Sequence, residues 1–246
     1  MTQPKLSSLT LADVVRVPRP GLGGPSRIRF SPDGEGVMYL RSERADLVQS
    51  LWEWRLDSDE PQRLAGPPPG TGDESSLSLE EALRRERLRM RELGVTDYRV
   101  AHRADPPILL VPSPDGVRVR VGDGKFRLLE GTAGSQSPRL SPDGAWVAFV
   151  RDGEIHVLPA SGGSTERLTS GAEPGLTYGL AEFIAQEEFD RGDGYWWSLD
   201  SRHIAFEEAD SRHLPRFNIV HDEGPRQSVE THEYPFAGSE NARVRI

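Results

Sequence analysis

Cysteine is absent from the 246-residue sequence, and long apolar runs are missing as well. Without cysteine the chain has neither disulfide bonds nor thiolate sites, which fits a reducing compartment. No stretch approaches the roughly 20 apolar residues that cross a bilayer, and residues 1–20 lack the apolar segment of a secretory signal. We therefore expect a cytoplasmic protein with no membrane partner, or a periplasmic one if a leader has been removed.

Positive charge is in deficit, because 30 Lys and Arg residues stand against 39 Asp and Glu residues and the formal net charge is -9. A field of this sign repels phosphate backbones, so nucleic acid is not an expected partner. Only 7% of the residues are aromatic, while 25 glycines and 20 prolines supply turns. The composition is typical of a globular, turn-rich protein.

The usual motifs of nucleophilic, metal and nucleotide sites are also missing. No serine has the flanking glycines of a Gly-x-Ser-x-Gly elbow. The six histidines form no His-Glu-x-x-His pair, and neither a Gly-x-Gly-x-x-Gly motif nor a Walker loop is present. We therefore expect no metal, no cofactor and no catalytic residue within this chain.

A Ser-Pro-Asp-Gly turn recurs along the chain. It stands at 31–34, 113–116 and 141–144, with a degenerate Ser-Leu-Asp-Ser form at 198–201. Proline at the second position and glycine at the fourth favour a type I turn between strands. Alternating apolar runs, typical of half-buried strands, follow three of these turns, at 37–40, 146–150 and 203–206.

The unit around the turn at 141–144 is the most complete. Four short strands are predicted there, near Leu140 and at 146–150, 155–158 and 166–169. A four-stranded antiparallel sheet has two open edges, so such units stack radially in a propeller. About fifty to eighty residues separate some of the turns, more than the roughly 40–50 of a bare blade. We therefore expect insertions in some blades.

Two segments have helical patterns within this β-rich sequence. The first covers residues 78–93, from a Ser-x-x-Glu capping box to a stop at Gly94, and carries five arginines. The second covers residues 180–189 and contains the neighbouring carboxylates of Glu187 and Glu188. By themselves, both charged segments fit solvated helix faces.

The sequence around the glutamate pair is long and unusual. GLAEFIAQEEFDR at 179–191, followed by GYWWS at 194–198, closely resembles the double-glutamate signature of the dipeptidyl-peptidase IV subfamily of prolyl oligopeptidases. Three further stretches agree in the same order, at 85–98, 207–219 and 234–241. The resemblance covers most of the chain after about residue 77.

This resemblance implies a fold and its extent. In that family an eight-bladed β-propeller precedes an α/β-hydrolase domain that holds the catalytic serine, aspartate and histidine. Residues 1–246 would then form an incomplete, mainly all-β N-terminal propeller domain of about four blades, and the hydrolase domain would be absent from this chain. Alone the chain would be inactive. Its partners would be the hydrolase domain and, in the full-length protein, a second copy.

The resemblance also implies an activity and a site. Members of the family are serine peptidases that release X-Pro or X-Ala dipeptides from peptide amino termini. By analogy, Glu187 and Glu188 would bind the substrate's α-ammonium, which is largely charged at neutral pH, and would gate access. An arginine of the helical insertion, Arg85, Arg87 or Arg89, would reach a substrate carbonyl. Phe189 would form part of the wall beside the pair.

Two alternatives remain open. A non-catalytic propeller module that binds a protein partner has the same strand pattern. Another peptidase of the same clan, such as an acylaminoacyl peptidase or an oligopeptidase, needs no ammonium anchor, so the glutamate pair argues against it. The downstream sequence separates the first alternative from the peptidase hypothesis, which requires a Gly-x-Ser-x-Gly elbow followed by aspartate and histidine.

Overall fold

The structure, a computed structural model, describes residues 10–15, 23–44, 46–68, 85, 91–101, 103–223 and 226–246. The chain divides into two units. Unit 1 comprises Met1–Leu77, Arg91–Tyr98 and Val111–Pro114, and unit 2 comprises Ser78–Met90, Arg99–Leu110 and Asp115–Ile246.

Unit 1 contains a five-stranded sheet. Its strands are β1 (Ser26–Phe30), β2 (Gly36–Ser42), β3 (Val48–Arg55), β4 (Gln62–Ala65) and β5 (Leu93–Gly94). Strands β1 to β4 pair antiparallel in sequence order, and β5 pairs parallel with β3. A five-residue helix, α1 (Leu11–Val15), precedes the sheet.

Two four-stranded sheets follow, and most of their residues belong to unit 2. The first consists of β6 (Arg99–Ala101), β7 (Ile108–Ser113), β8 (Gly116–Val121) and β9 (Arg127–Leu129). The second consists of β10 (Gln136–Leu140), β11 (Trp146–Arg151), β12 (Glu154–Pro159) and β13 (Glu166–Arg167). Both sheets keep the sequence order of their strands. The second sheet confirms the four antiparallel strands predicted around 141–144.

The remainder of unit 2 holds shorter sheets and the second helix, α2 (Phe183–Glu188). Strands β14 (Leu176–Tyr178), β17 (Glu208–Asp210) and β20 (Arg243–Arg245) form one sheet in that order. Strands β15 (Tyr195–Trp197) and β16 (Ile204–Phe206) form a pair, as do β18 (Arg216–Glu223) and β19 (Arg226–Glu233).

The central strand β11 is buried on both of its faces. Val147 and Phe149 pack into a core shared with the β6–β9 sheet, while Ala148 and Val150 pack into a second core with Tyr195. Only Trp146, at the start of the strand, is exposed, at 40%. The prediction of a half-buried strand is therefore wrong for β11, because a sheet that lies between two neighbouring layers needs apolar residues at every position.

The predicted turns form at 31–34, 141–144 and 198–201, each between two paired strands. In each turn the serine hydroxyl donates to the aspartate carboxylate, over 2.5 Å at Ser31 and Asp33, 2.6 Å at Ser141 and Asp143, and 2.5 Å at Ser198 and Asp200. With a second bond from the Glu35 main chain, this contact lowers the pKa of Asp33 to about 2.

Two turns depart from the repeated pattern. The turn at 113–116 joins β7 to β8, the second and third strands of its sheet, whereas the others join a first strand to a second. At 198–201 the fourth residue, Ser201, adopts φ 62°, where Gly144 has φ 76°. A serine costs more than glycine in this region. Its hydroxyl accepts a bond from the Asp143 main chain at 3.1 Å, which offsets part of that cost.

Two buried tyrosines anchor similar bulges, one in each unit. Each hydroxyl lies within hydrogen-bond distance of two main-chain carbonyls. The Tyr98 hydroxyl is 2.7 Å from the Arg27 carbonyl and 3.0 Å from the Met38 carbonyl. The Tyr195 hydroxyl is 2.6 Å from the Ser137 carbonyl and 2.8 Å from the Ala148 carbonyl. Arg27 and Ser137 have φ 53° and 48°, and each lies in an irregularity of its strand pairing. Burial raises the pKa of Tyr98 to about 12 and also raises that of Tyr195, so both hydroxyls stay neutral donors.

The helix predicted over 78–93 falls largely outside the described residues. Arg85 is helical, but residues 91–92 are not, and Leu93 belongs to β5, so the helix does not extend to 93. The Leu93 amide donates to the Leu47 carbonyl at 2.9 Å, which commits this stretch to the sheet of unit 1. Among the described helices, none has the length and apolar character needed to span a bilayer.

Candidate functional site

Helix α2 begins at Phe183 because Glu182 caps it. The Glu182 carboxylate accepts bonds from the main-chain amides of Ile184 and Ala185, both at 2.7 Å. These two amides have no partner inside the helix, and a carboxylate at this end also interacts favourably with the helix dipole. The predicted helix over 180–189 is therefore confirmed but shorter, running from 183 to 188.

The helix ends in a turn built on a left-handed residue. Phe189 is the C-cap, and Asp190 follows with φ 50°, a conformation that aspartate tolerates better than most residues. The Arg191 amide then donates to the Ala185 carbonyl at 3.0 Å. This bond folds the chain back against the last turn of α2.

Glu187 and Glu188 occupy that last turn. Glu187 is half-buried and Glu188 is exposed, and no basic residue lies in the turn. The carboxyl end of a helix is its negative end, so carboxylates are disfavoured there. Within the described part of the chain, the structure gives neither side chain a hydrogen bond or an ion pair. Two acidic residues thus follow one another in the last turn of α2, where a cation is electrostatically favoured.

Arg191 connects the end of α2 to Glu207, the residue between β16 and β17. Its Nη1 donates to Glu207 Oε1 at 2.6 Å and to the Asp193 carbonyl at 3.0 Å. The guanidinium also lies 5.9 Å from the centre of the Trp196 ring. The Glu207 side chain is 6% exposed and the Arg191 side chain is 37% exposed, so the carboxylate is shielded from water while the guanidinium is partly exposed.

The chain that follows Arg191 is fixed to the β10–β13 sheet. Tyr195 is fully buried and bonds to the β10–β11 main chain, as described above. Arg139 of β10 forms an ion pair with Asp193, and its guanidinium lies 5.7 Å from the centre of the Tyr195 ring. The segment that supports α2 is therefore held from two sides.

Aromatic rings support the first turn of α2. Phe183 meets Tyr234 edge to face at 5.0 Å, and Tyr234 in turn lies 5.5 Å from Phe217 and 5.2 Å from Phe236. Such pairs contribute about 0.5–1.5 kcal/mol beyond their buried area. Phe189, at the other end of the helix, is 74% exposed. It leaves an apolar surface directly beside the glutamate pair.

Comparison with known proteins identifies the family. The model of the "Dipeptidyl peptidase IV (DPP IV) N-terminal region" matches residues 119–246, just over half of the chain. The chain belongs to the dipeptidyl peptidase IV family. Dipeptidyl peptidase 8 of Homo sapiens is 26% identical over 201 residues, which cover 71% of this chain and 22% of that protein. The probable dipeptidyl-aminopeptidase B of Arthroderma gypseum is 27% identical over 119 residues, which cover 43% of this chain and 13% of that protein.

A solved structure shares the fold of this chain. Dipeptidyl peptidase 4 of Porphyromonas gingivalis matches with a TM-score of 0.60 at 23% identity, over 90% of this chain and 30% of that chain. At this identity the likeness shows the fold, which is part of a β-propeller. The chain spans about a fifth of the length of the human relative.

The structure describes some of the residues predicted for the substrate site and not others. Glu187, Glu188 and Phe189 are consecutive at the end of α2. Arg85 is helical and 8% exposed, so it presents little surface to a ligand in this conformation. Arg87 and Arg89 lie outside the described residues, and the choice among the three arginines stays a prediction.

Sequence reasoning did not assign roles to the residues that hold the pair. Glu182 is an uncommon N-cap, and Glu207 has the sequence context of a solvated carboxylate beside Glu208. Arg191 comes directly after a predicted helix and an aspartate, which is the one local signal of a capping role. An ion pair between Arg191 and the buried Glu207 becomes visible only when the strands are placed.

Proposed function

We propose that the chain is the N-terminal propeller portion of a serine-type dipeptidyl aminopeptidase. In this proposal Glu187 and Glu188 bind the α-ammonium of a peptide substrate. The observation that supports it most is the pair itself, two carboxylates in the last turn of α2 with no basic residue in that turn. The names of the relatives support the activity. The cysteine-free composition favours a cytoplasmic setting.

The energetics of such a site are favourable. Two neighbouring carboxylates at the negative end of a helix repel each other and the helix dipole, and a bound ammonium relieves both effects. Each charge-assisted hydrogen bond contributes about 1.5–3 kcal/mol. An acetylated amino terminus has no charge to offer and adds bulk, so it would bind weakly.

The site would also set the position of cleavage. Glu187 and Glu188 lie on a segment held by Tyr195 and Arg191, so their distance from a nucleophile on a following hydrolase domain would be constant. Only the bond after the second substrate residue would then reach that nucleophile. Phe189 would contact the substrate's first side chain, and one of the insertion arginines would bind a carbonyl through its planar fork of donors.

The proposal is tested in the intact protein that contains this chain, by hydrolysis of a Gly-Pro amide substrate. We expect Glu187→Ala combined with Glu188→Ala to lower kcat/KM at least about a hundredfold, since two charge-assisted bonds are lost. Glu130→Ala combined with Glu166→Ala removes the same charge at exposed positions and should leave the rate unchanged. Normal cleavage by the first variant would reject the proposal.

A further inference from the structure

The glutamate pair lies on an excursion of the chain that is closed at its base. Residues 180–193 leave and return between β14 and β15, and a bridge pairs Leu180 with Asp193. Glu207 closes this base through its main chain. Its amide donates to the Gly194 carbonyl, and its carbonyl accepts from the Gly179 amide, both at 2.8 Å. Both ends of the excursion are thus bound to one residue.

The side chain of Glu207 adds a second connection, to Arg191. The Glu207 side chain is 6% exposed, and a buried carboxylate is unfavourable unless a cation pairs with it. Arg191 supplies that cation at 2.6 Å. Among the described residues, Glu207 Oε2 is buried without a hydrogen-bond partner. The contact of Arg191 with Oε1 must therefore offset the cost of burying the carboxylate.

Arg191 connects this base to the end of α2. Its amide bonds to the Ala185 carbonyl, and Ala185 is 3% exposed in the centre of the helix. One residue therefore contacts both the helix that carries Glu187 and Glu188 and the buried carboxylate beneath it. Losing the Arg191–Glu207 ion pair would free the helix end from the sheet while leaving the base bridge in place.

We infer that Arg191, through its ion pair with Glu207, is a positioning residue for the glutamate pair, an inference that rests on the proposed function. Its Nη1 is committed to Glu207 and to the Asp193 carbonyl, and its guanidinium lies against Trp196. Pairing with Glu207 also neutralises a positive charge that would otherwise repel an arriving ammonium. The arginine acts on the ligand through the helix rather than by contact.

The first test measures the helix without any ligand. Amide hydrogen exchange is followed for residues 183–191 and for β11 and β12 in the 246-residue chain. Arg191→Met keeps an apolar stem against Trp196, and Glu207→Gln keeps the shape of the carboxylate. Both are expected to speed exchange in α2 about tenfold relative to the strands, because each removes the ion pair between Arg191 and Glu207, and Arg191→Met also removes the bond to the Asp193 carbonyl. Arg212→Ala removes another arginine of unit 2, with its ion pairs to Glu173 and Asp210, and should change neither region.

The second test measures binding of the dipeptide Gly-Pro and of its N-acetyl form. Arg191→Met and Glu207→Gln should each weaken Gly-Pro binding about tenfold. The double variant should be no weaker than either single variant, because the two residues act as one unit. Arg191→Lys, which keeps the charge, should recover part of the affinity. N-acetyl-Gly-Pro should bind weakly to every variant.

Three results would overturn the inference. Weaker binding in Arg191→Met with unchanged binding in Glu207→Gln would mean that the arginine contacts the ligand directly. Unchanged exchange in both variants would mean that the ion pair does not hold the helix. If Glu187→Ala with Glu188→Ala leaves Gly-Pro binding intact, the proposed function fails, and faster exchange alone would then mark Arg191 as a structural residue.

Discussion

The hydroxyl of Tyr195 offers a sharp test of how the site segment is held. Tyr195 is fully buried, and its hydroxyl lies 2.6 Å from the Ser137 carbonyl and 2.8 Å from that of Ala148. Tyr195→Phe keeps the ring and removes the one proton that is shared by the buried Ala148 carbonyl and the part-buried Ser137 carbonyl. Leaving buried groups unsatisfied costs about 1–3 kcal/mol, and we expect the free energy of unfolding to fall by that amount.

The assay is urea unfolding followed by circular dichroism, with the midpoint expected to fall at an unchanged slope. Tyr178→Phe is the matched control, since Tyr178 is half-buried against the same core and the structure gives its hydroxyl no hydrogen bond within the described residues. Its free energy should change by less than about 0.5 kcal/mol. Equal effects of the two substitutions would refute the anchoring role of the Tyr195 hydroxyl.

Two further predictions concern the fold. Gly144→Ala should cost about 2 kcal/mol or more, because the new Cβ would lie 2.9 Å from Ala104 Cβ and from Ile108 Cδ1 at φ 76°. Gly34→Ala, at φ 74° with no atom within 4 Å, should cost only about 1 kcal/mol. Equal losses of stability in the two variants would contradict the close packing around Gly144. Burial lowers the pKa of His156 from its ordinary value of 6.5, because the folded chain favours the neutral ring. The stability that the neutral ring contributes is therefore present above pH 6.5 and is lost as the pH falls below it. Unfolding free energies from pH 8 to 5 should decline less in His156→Gln than in the unmodified chain, and identical declines would refute this.

Local patterns predicted the sheets well. The turns at 31–34 and 141–144 formed because proline and glycine favour that geometry in any context. The two tryptophans after Tyr195 lie on opposite faces as strand geometry requires, with Trp196 37% exposed and Trp197 packed against a core.

The half-buried prediction for β11 failed because it read only the alternation of large and small side chains in the strand. Val147 and Phe149 alternate with Ala148 and Val150, and all four are apolar. A continuous apolar run is the signal of burial on both faces. Which strand of a sheet receives both neighbours depends on the stacking of whole sheets, and that is a tertiary property.

The sequence singles out the glutamate pair of the candidate site but not the residues that hold it, and the role of the pair stays a prediction. Glu187 and Glu188 stand out in the sequence because adjacent acids end a short helix. Arg191 and Glu207 do not, since they are 16 residues apart and lie in separate elements. Ion pairs of this kind are set by strand pairing, which brings Glu207 to the base of the excursion that carries Arg191.

The most direct measurement of the central claim is the affinity of the chain for Gly-Pro as a function of pH. The α-ammonium of a peptide loses its proton with a pKa of about 7.7–8.0. If Glu187 and Glu188 bind the charged form, the affinity should fall about tenfold for each pH unit above 8, and Glu187→Ala with Glu188→Ala should abolish that dependence. An affinity that stays constant from pH 7 to 10, or that is unchanged in the double variant, would contradict the account.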